Sequence, residues 1–279
     1  MQTGTTRSWT LPEIPHLECF RVVKFVHEYP RHSHETWSIG VVDEGTGGIW
    51  YRGSNQRGGA GEIIAINPGE VHTGYPLQKD GISYSMLYLG DELIKHILPG
   101  IRGTPMFPGV GIQDPVLASR LRGVCRALEH GGPCLAAETQ LVTDLRRLFL
   151  WHARIQTDQS TAREPRRVAQ IQEYLRANVR RNVSLTELAN LTGLSKSYLI
   201  RSFRRFVGMP PYEWNLQLRI EEARKSLRKG ISISDLAVEL GFADQSHFHR
   251  RFKCVTGMTP AAYAEGHFRS RQRMPALGG

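Results

Sequence analysis

Three histidines fall in two short motifs in the first third of the chain: His32 and His34 in HSHE, with Glu35 directly after, and His72 at the end of NPGEVH. Imidazole nitrogens suit zinc, iron and nickel alike, so three of them could hold a divalent ion with a water. They could equally hydrogen-bond a small organic ligand, or satisfy backbone groups at strand ends and do no chemistry. Trp37, Tyr51 and Tyr84 are aromatic candidates for the wall of such a pocket, or for an ordinary core.

The elements that must position these residues are strands. From Cys19 to Leu89 run FRVVKFVHEY, TWSIGVVDEGTGGIWYRG, GEIIAINPGEVHTGYP and ISYSMLYLG, rich in Val, Ile, Trp and Tyr and separated by glycine-containing turns. Strands at this spacing, without an intervening helical period, imply an antiparallel sandwich or barrel. In ISYSMLYL, Ile82, Tyr84, Met86 and Tyr88 alternate with Ser83, Ser85, Leu87 and Leu89, so the two faces meet different surroundings. HSHE and NPGEVH resemble the two motifs of a cupin, a small β-barrel in which both motifs face one central pocket. Metal-binding cupins carry a Glu three or four residues after HxH, where this chain has Ser38 or Ile39. The missing carboxylate leads us to assign no metal, no cofactor and no catalytic residue, and to expect an effector pocket of His32, His34, Trp37, Tyr51, His72 and Tyr84. Its mixed composition admits sugars, aromatic acids and amino acids.

After Asp91 the period becomes helical. Asp114-Pro115 supplies a cap and a first-turn proline, followed by Leu117, Leu121, Val124 and Leu128; a second stripe runs Leu141, Leu145, Leu148, His152 and Ile155. Each is one narrow apolar seam, which packs either on the barrel or against its copy in a dimer.

The 279 residues carry a net charge of +10, unevenly spread. Residues from Arg163 onward hold 21 Lys and Arg against 10 Asp and Glu, a net of +11, whereas the preceding segment has 15 against 16, a net of −1. A basic half beside a neutral one suggests a polyanion-binding module attached to something with a different task. Cys19, Cys125, Cys134 and Cys254 form no CxxC pair, which fits reduced thiols in a cytoplasmic protein. No signal-peptide run and no apolar stretch of spanning length is visible, so no membrane role is expected. The polar stretch QTDQSTARE before Pro165 marks the expected boundary, with domains at 1–160 and 161–279.

The basic half contains an internal repeat. SLTELANLTG (Ser184 to Gly193) matches SISDLAVELG (Ser232 to Gly241), and SYLIRSFRRFVGMPP (Ser197 to Pro211) matches SHFHRRFKCVTGMTP (Ser246 to Pro260). Ser184 with Glu187, and Ser232 with Asp235, read as capping boxes. Gly193 and Gly241 then provide the turn. The following helices, from Ser195 and Asp244, bury Leu199, Phe203 and Phe206 in one copy and Phe248, Phe252 and Val255 in the other. Their opposite faces carry Lys196, Ser197, Ile200, Arg201, Arg204 and Arg205, and Gln245, Ser246, His249, Arg250 and Lys253. A short helix, a glycine turn and a second helix with a polar, basic outer face make a helix-turn-helix, whose second helix fits the major groove of double-stranded DNA. Gln pairs with adenine and Arg with guanine, so Gln245, Arg201 and Arg250 are the leading base readers; the alternative for each arginine is a phosphate contact or a solvated surface. Between the copies, Pro210 to Lys229 reads as a stiff connecting helix.

Residues 165 to 264 resemble the DNA-binding domain of the AraC family of bacterial transcription regulators, most closely in ISISDLAVELGFADQSHFHRRFKCVTGMTPAAYA. By position, the resemblance places base contacts at Ser197, Ile200 and Arg201 and at Gln245, Ser246 and Arg250. Ile200 departs from the polar residue of the family and points to contact with a thymine methyl or to reduced reading in that copy. The resemblance implies an α+β multidomain protein, with an N-terminal cupin-like β-barrel and following helices and a C-terminal all-α domain with two helix-turn-helix motifs. It further implies a homodimeric regulator, more often an activator, that answers a small-molecule effector by changing its contacts with DNA or RNA polymerase. Two other classes remain open: a cupin metalloenzyme with an accessory DNA-binding domain, and a sequence-indifferent nucleoid protein.

Overall fold

A computed structural model of the chain describes residues 4–130, 135–156 and 163–272. Residues 157–162 of the expected linker, the 160/161 boundary and Cys134 lie outside them. The chain divides into two compact units, one strand-rich and one helical.

The described strands are β1 (Thr5–Thr10), β2 (Leu17–Phe25), β3 (Tyr29–His32), β4 (Trp37–Glu44), β5 (Thr46–Tyr51), β6 (Ser54–Gly59), β7 (Ile63–Ile66), β8 (His72–Pro76), β9 (Ile82–Leu89), β10 (Thr104–Met106), β11 (Gly111–Ile112) and β12 (Arg154–Gln156). Three helices accompany them: α1 (Asp91–Ile97), α2 (Pro115–His130) and α3 (Leu135–His152). The strands form a six-stranded sheet, ordered β1-β2-β9-β4-β7-β11, a four-stranded sheet, β3-β8-β5-β6, and the pair β10-β12. The expected barrel is therefore two sheets, with no ladder joining them into a ring among the described residues.

Side-chain alternation decides what each face of the larger sheet does. Cys19 lies opposite Leu87, Leu87 opposite Ile39 and Ile39 opposite Ala65, a row across four strands. All four are buried in one core with Leu117, Leu121, Val124 and Leu128 of α2 and Leu141, Leu145 and Leu148 of α3. Both helical seams are thus spent on the sheet within the chain. Ile155, expected to continue the second seam, lies instead on β12 and is exposed, because α3 ends at His152. The α2 helix is also held by charge: buried Asp43 of β4 meets Arg21, Arg122 (3.2 Å) and Arg126 (3.5 Å). Cys19, Cys125 and Cys254 are free thiols, and burial pushes the Cys125 thiol up to about 12.

The remaining helices are α4 (Arg163–Ala177), α5 (Leu185–Thr192), α6 (Lys196–Val207), α7 (Pro211–Arg228), α8 (Ile233–Glu239), α9 (Gln245–Thr256) and α10 (Pro260–Gln272). The α5-α6 and α8-α9 pairs are the two repeats. The repeat also reaches into the next helix: Phe203 packs edge-on to Trp214 of α7 (5.8 Å), and at an offset of 49 residues Phe252 packs edge-on to Tyr263 of α10 (5.5 Å). The first capping box is complete, Ser184 Oγ accepting from the Glu187 N–H and Glu187 accepting from the Ser184 N–H. In the second copy only the Ser232 half of the expected box is made, since Asp235 is one methylene shorter than Glu. Gly193 (φ 65°) and Gly241 (φ 66°) both adopt the left-handed turn expected of them. Phe206 departs from its expected burial: it is 45% exposed, near the end of α6, with the Arg205 guanidinium over its ring. Val255 is half-buried.

Candidate nucleic-acid interface and effector site

The two candidate reading helices begin on side-chain caps, Ser195 accepting from the Tyr198 N–H and Asp244 from the His247 N–H. Behind each start, Leu199 with Phe203 and Phe248 with Phe252 are fully buried, which turns the opposite face outward. Lys196, Ser197, Arg201, Arg204 and Arg205 of α6 are exposed, as are Gln245, Ser246, Arg250 and Lys253 of α9, while Ile200 and His249 are half-buried. Lys196, Arg201, Arg204, Arg250 and Lys253 make no ion pair among the described residues. By contrast, Arg180 is paired with Glu222 and Glu239, and Arg181 with Glu187. The outer faces of α6 and α9 therefore carry positive charge without an internal partner, available to an external polyanion.

One residue that sequence reasoning passed over joins the two repeats. Arg219 of α7 is 5% exposed; it donates from Nη1 to the Gly241 carbonyl (2.7 Å) and from Nη2 to Asn182 Oδ1 (2.8 Å) and the Arg181 carbonyl (3.2 Å). It thereby grips the turn of the second copy and the entry to the first at once, and burial lowers its pKa. A Cβ on Gly241 would stand 3.0 Å from both Arg219 Nη2 and Asn182 Oδ1, so this turn needs glycine for space as well as for its φ. The available signal was position: Arg219 sits three residues after Leu216 and four before Ala223, on the buried stripe of α7.

His32 closes β3, His34 follows in the loop and His72 opens β8. All three are buried. The His34 ring stands 5.3 Å from that of His72 and meets Tyr88 edge-on at 4.9 Å. His32 Nδ1 donates to the Pro30 carbonyl (2.8 Å) and His72 Nδ1 to the Glu70 carbonyl (3.0 Å). The Gly69 N–H donates to the His34 carbonyl at 2.6 Å, so the HSHE loop and the NPGEVH turn fix each other.

That turn is anchored by Asn67, whose side chain accepts from the Phe107 N–H (2.7 Å) and donates to the Phe107 carbonyl (3.0 Å). Tyr51, opposite His72 in the sheet, gives its hydroxyl hydrogen to Glu70, whose carboxylate also pairs with Arg52. Burial pushes the Glu70 carboxyl up to about 7.

Among the expected pocket residues, His34 and His72 come together and Tyr51 stands beside His72 through Glu70. Trp37 does not join them. Its side chain points to the helix-covered face, edge-on to Phe149, and its Nε1 donates to the Pro105 carbonyl, so it is core. Tyr84 lies half-buried on the same face of β9 as Tyr88, and it is Tyr88 that touches His34. Strand alternation alone gave Tyr84 and Tyr88 equal standing. Glu35 is exposed.

Known proteins show the same two-part organisation. The family model described as an AraC-like ligand binding domain matches residues 15–176, and one described as a helix-turn-helix domain matches residues 188–266. The HTH-type transcriptional regulator YbfI of Bacillus subtilis is 25% identical over 245 residues, 87% of this chain and 89% of that protein. The HTH-type transcriptional activator AarP of Providencia stuartii is 34% identical over 97 residues, 34% of this chain and 72% of that protein. Among solved structures, a point variant of ToxT from Vibrio cholerae in its apo form matches with a TM-score of 0.60 over 94% of this chain and 96% of that one; at 13% identity this is a likeness of fold. With a ligand-binding domain matched over more than half its length and a tandem helix-turn-helix behind it, the chain belongs to the AraC family, DNA-binding transcription regulators controlled by an effector.

Proposed function

We propose that the protein is a cytoplasmic homodimer that reads a promoter with α6 and α9 and activates transcription through contact with RNA polymerase when a small molecule occupies the strand-rich domain. The observation that carries this reading is the pair of exposed, uncompensated basic faces on α6 and α9, joined through Arg219. Base reading falls to Ser197, Ile200, Arg201, Gln245, Ser246 and Arg250, and phosphate contact to Lys196, Arg204, Arg205, His249 and Lys253. Activation is favoured by the likeness to AarP, an activator by name.

The effector domain is taken as 1–160 and the DNA-binding domain as 161–279. The effector pocket is centred on His32, His34, Tyr51 and His72, with Tyr84 and Tyr88 along β9. Because the α2 and α3 seams are occupied within the chain, the dimer contact falls on other surfaces, of which Leu150 and Trp151 on the outer face of α3 are 51% and 64% exposed. Switching requires that the effector bind one arrangement better than the other. The protein acts by binding, not by turnover.

The test is selection of bound sites from random duplex DNA by the purified protein at near-physiological salt. Two sequence blocks about one helical turn, roughly 34 Å, apart are expected. Equal retention of all sequences by both the full chain and residues 161–279 would mean a sequence-indifferent binder.

A further inference from the structure

We propose that Gly266 and His267, in the second half of α10, form an autoinhibitory strap seated on β1 and β2, and that this contact holds the regulator in its low-output state. The proposal rests on the regulator reading above. Residues from Glu265 onward belong by their contacts to the strand-rich unit. His267 is 2% exposed. Its Nε2 stands 3.3 Å from Ser8 Oγ and 3.8 Å from Glu18 Oε1, and its Nδ1 stands 3.4 Å from Thr10 Oγ1. Ser8 Oγ in turn donates to Glu18 Oε1 at 2.6 Å. A Cβ on Gly266 would stand 2.5 Å from the Ser8 carbonyl oxygen, so the helix backbone reaches β1 only because this residue is glycine.

The seat lies on the sheet face opposite the helix-covered one. Thr10 is paired with Glu18, Glu18 with Tyr88 and Tyr88 with Ser38, one row across four strands. Ser8 is paired with Phe20, whose ring meets that of Tyr88 edge-on at 6.1 Å. Tyr88 is also the residue that touches His34. The strap and the effector residues thus occupy two ends of one continuous set of contacts. What holds the strap is polar: of residues 265–268 only His267 is buried, Phe268 is 60% exposed, and none of the four joins the apolar core. A contact made of a few hydrogen bonds without apolar burial opens at much lower cost than the core beneath it, which is what a switched element requires. The α10 helix runs unbroken from Pro260 to Gln272, and Tyr263 in its first half packs on Phe252 of α9. Seating the second half therefore restrains the helix that backs the second reader.

The experiment uses the full chain and two variants, Gly266→Ala and His267→Ala, with Phe268→Ala as the control. Alanine at 266 favours the helix yet blocks the seat, so its effect is not a loss of α10. Hydrogen exchange should show β1 and the second half of α10 opening about tenfold faster or more in both variants, while the α2 and α3 amides keep their rates. In a reporter strain carrying the selected DNA site, with no added compound, both variants should raise transcription about tenfold or more over the parent, and Phe268→Ala should not. Should His267→Ala fail to fold by circular dichroism, Gly266→Ala, which leaves the buried polar group complete, decides alone. Unchanged exchange in Gly266→Ala would overturn the seat. Faster exchange with site-specific DNA binding intact and output unchanged or lowered would overturn the autoinhibition. Failure of the parent chain to bind any selected site would remove the regulator reading, and the autoinhibition with it, while the exchange result still decides the seat.

Discussion

Gln245 and Lys253 share the exposed face of α9 about two turns apart, and their chemistry gives them different tasks. An amide at the start of the helix pairs bidentately with adenine, whereas an ammonium near its end is a point charge for phosphate. Gln245→Ala should therefore lower affinity for the selected site by about tenfold or more while leaving random DNA unaffected, and Lys253→Ala should weaken both equally. A salt titration separates them, since only the lysine variant should flatten the log–log slope, by about 0.9. Equal losses on both DNAs for Gln245→Ala would remove it from base reading. Arg219 acts one layer behind. Its removal takes a donor from the partly buried Gly241 and Arg181 carbonyls, so Arg219→Met should cost roughly 1–3 kcal/mol in urea denaturation, with Arg219→Lys recovering part. A loss below about 0.5 kcal/mol would show the clamp to be dispensable.

At the scale of the element, the start of α5 makes a pH-dependent claim. Hydrogen bonds from Arg181, then from Tyr174, hold the Glu187 carboxyl down to about 2, so the folded state favours its charged form. Stability from this group is complete above its ordinary value near 4.5 and fades as pH falls from there toward 2. Glu187→Gln keeps a capping side chain without the charge. It should melt below the parent at neutral pH, with the gap closing by about pH 2; a gap constant from pH 7 to 2 would assign the effect to shape. Caps, glycine turns and apolar seams of this kind were legible in the sequence because each is a local rule. Phe206, Ile155 and Trp37 were not, because their burial depends on where a helix ends or which sheet face is covered. Three histidines could be read as one pocket from two motifs, but Tyr88 could not be chosen over Tyr84 without the register that sets it beside His34.

The whole helical unit was the most readable part of the molecule, since a repeat shows that one structure is built twice. What a repeat cannot give is how firmly its copies are held together, and here α7 and Arg219 supply the answer. The α7 helix runs for 18 residues, about 27 Å, packs Trp214 against the first copy, and carries the Arg219 bonds to both. Two readers fixed on one stiff element can span only one distance, unlike readers on a flexible tether, which regain both sites whenever the DNA faces realign. Inserting five base pairs between the two sequence blocks turns the second block to the opposite side of the duplex, and inserting ten turns it back but moves it about 34 Å farther away. A rigid unit should lose most of its specific affinity in both cases, falling to that of a single block. Recovery at ten base pairs but not five, measured by titration of the three duplexes at one salt concentration, would mean that α7 bends or the repeats separate on DNA. Arg219→Met should shift the protein toward that tethered behaviour if its bonds are what fix the spacing.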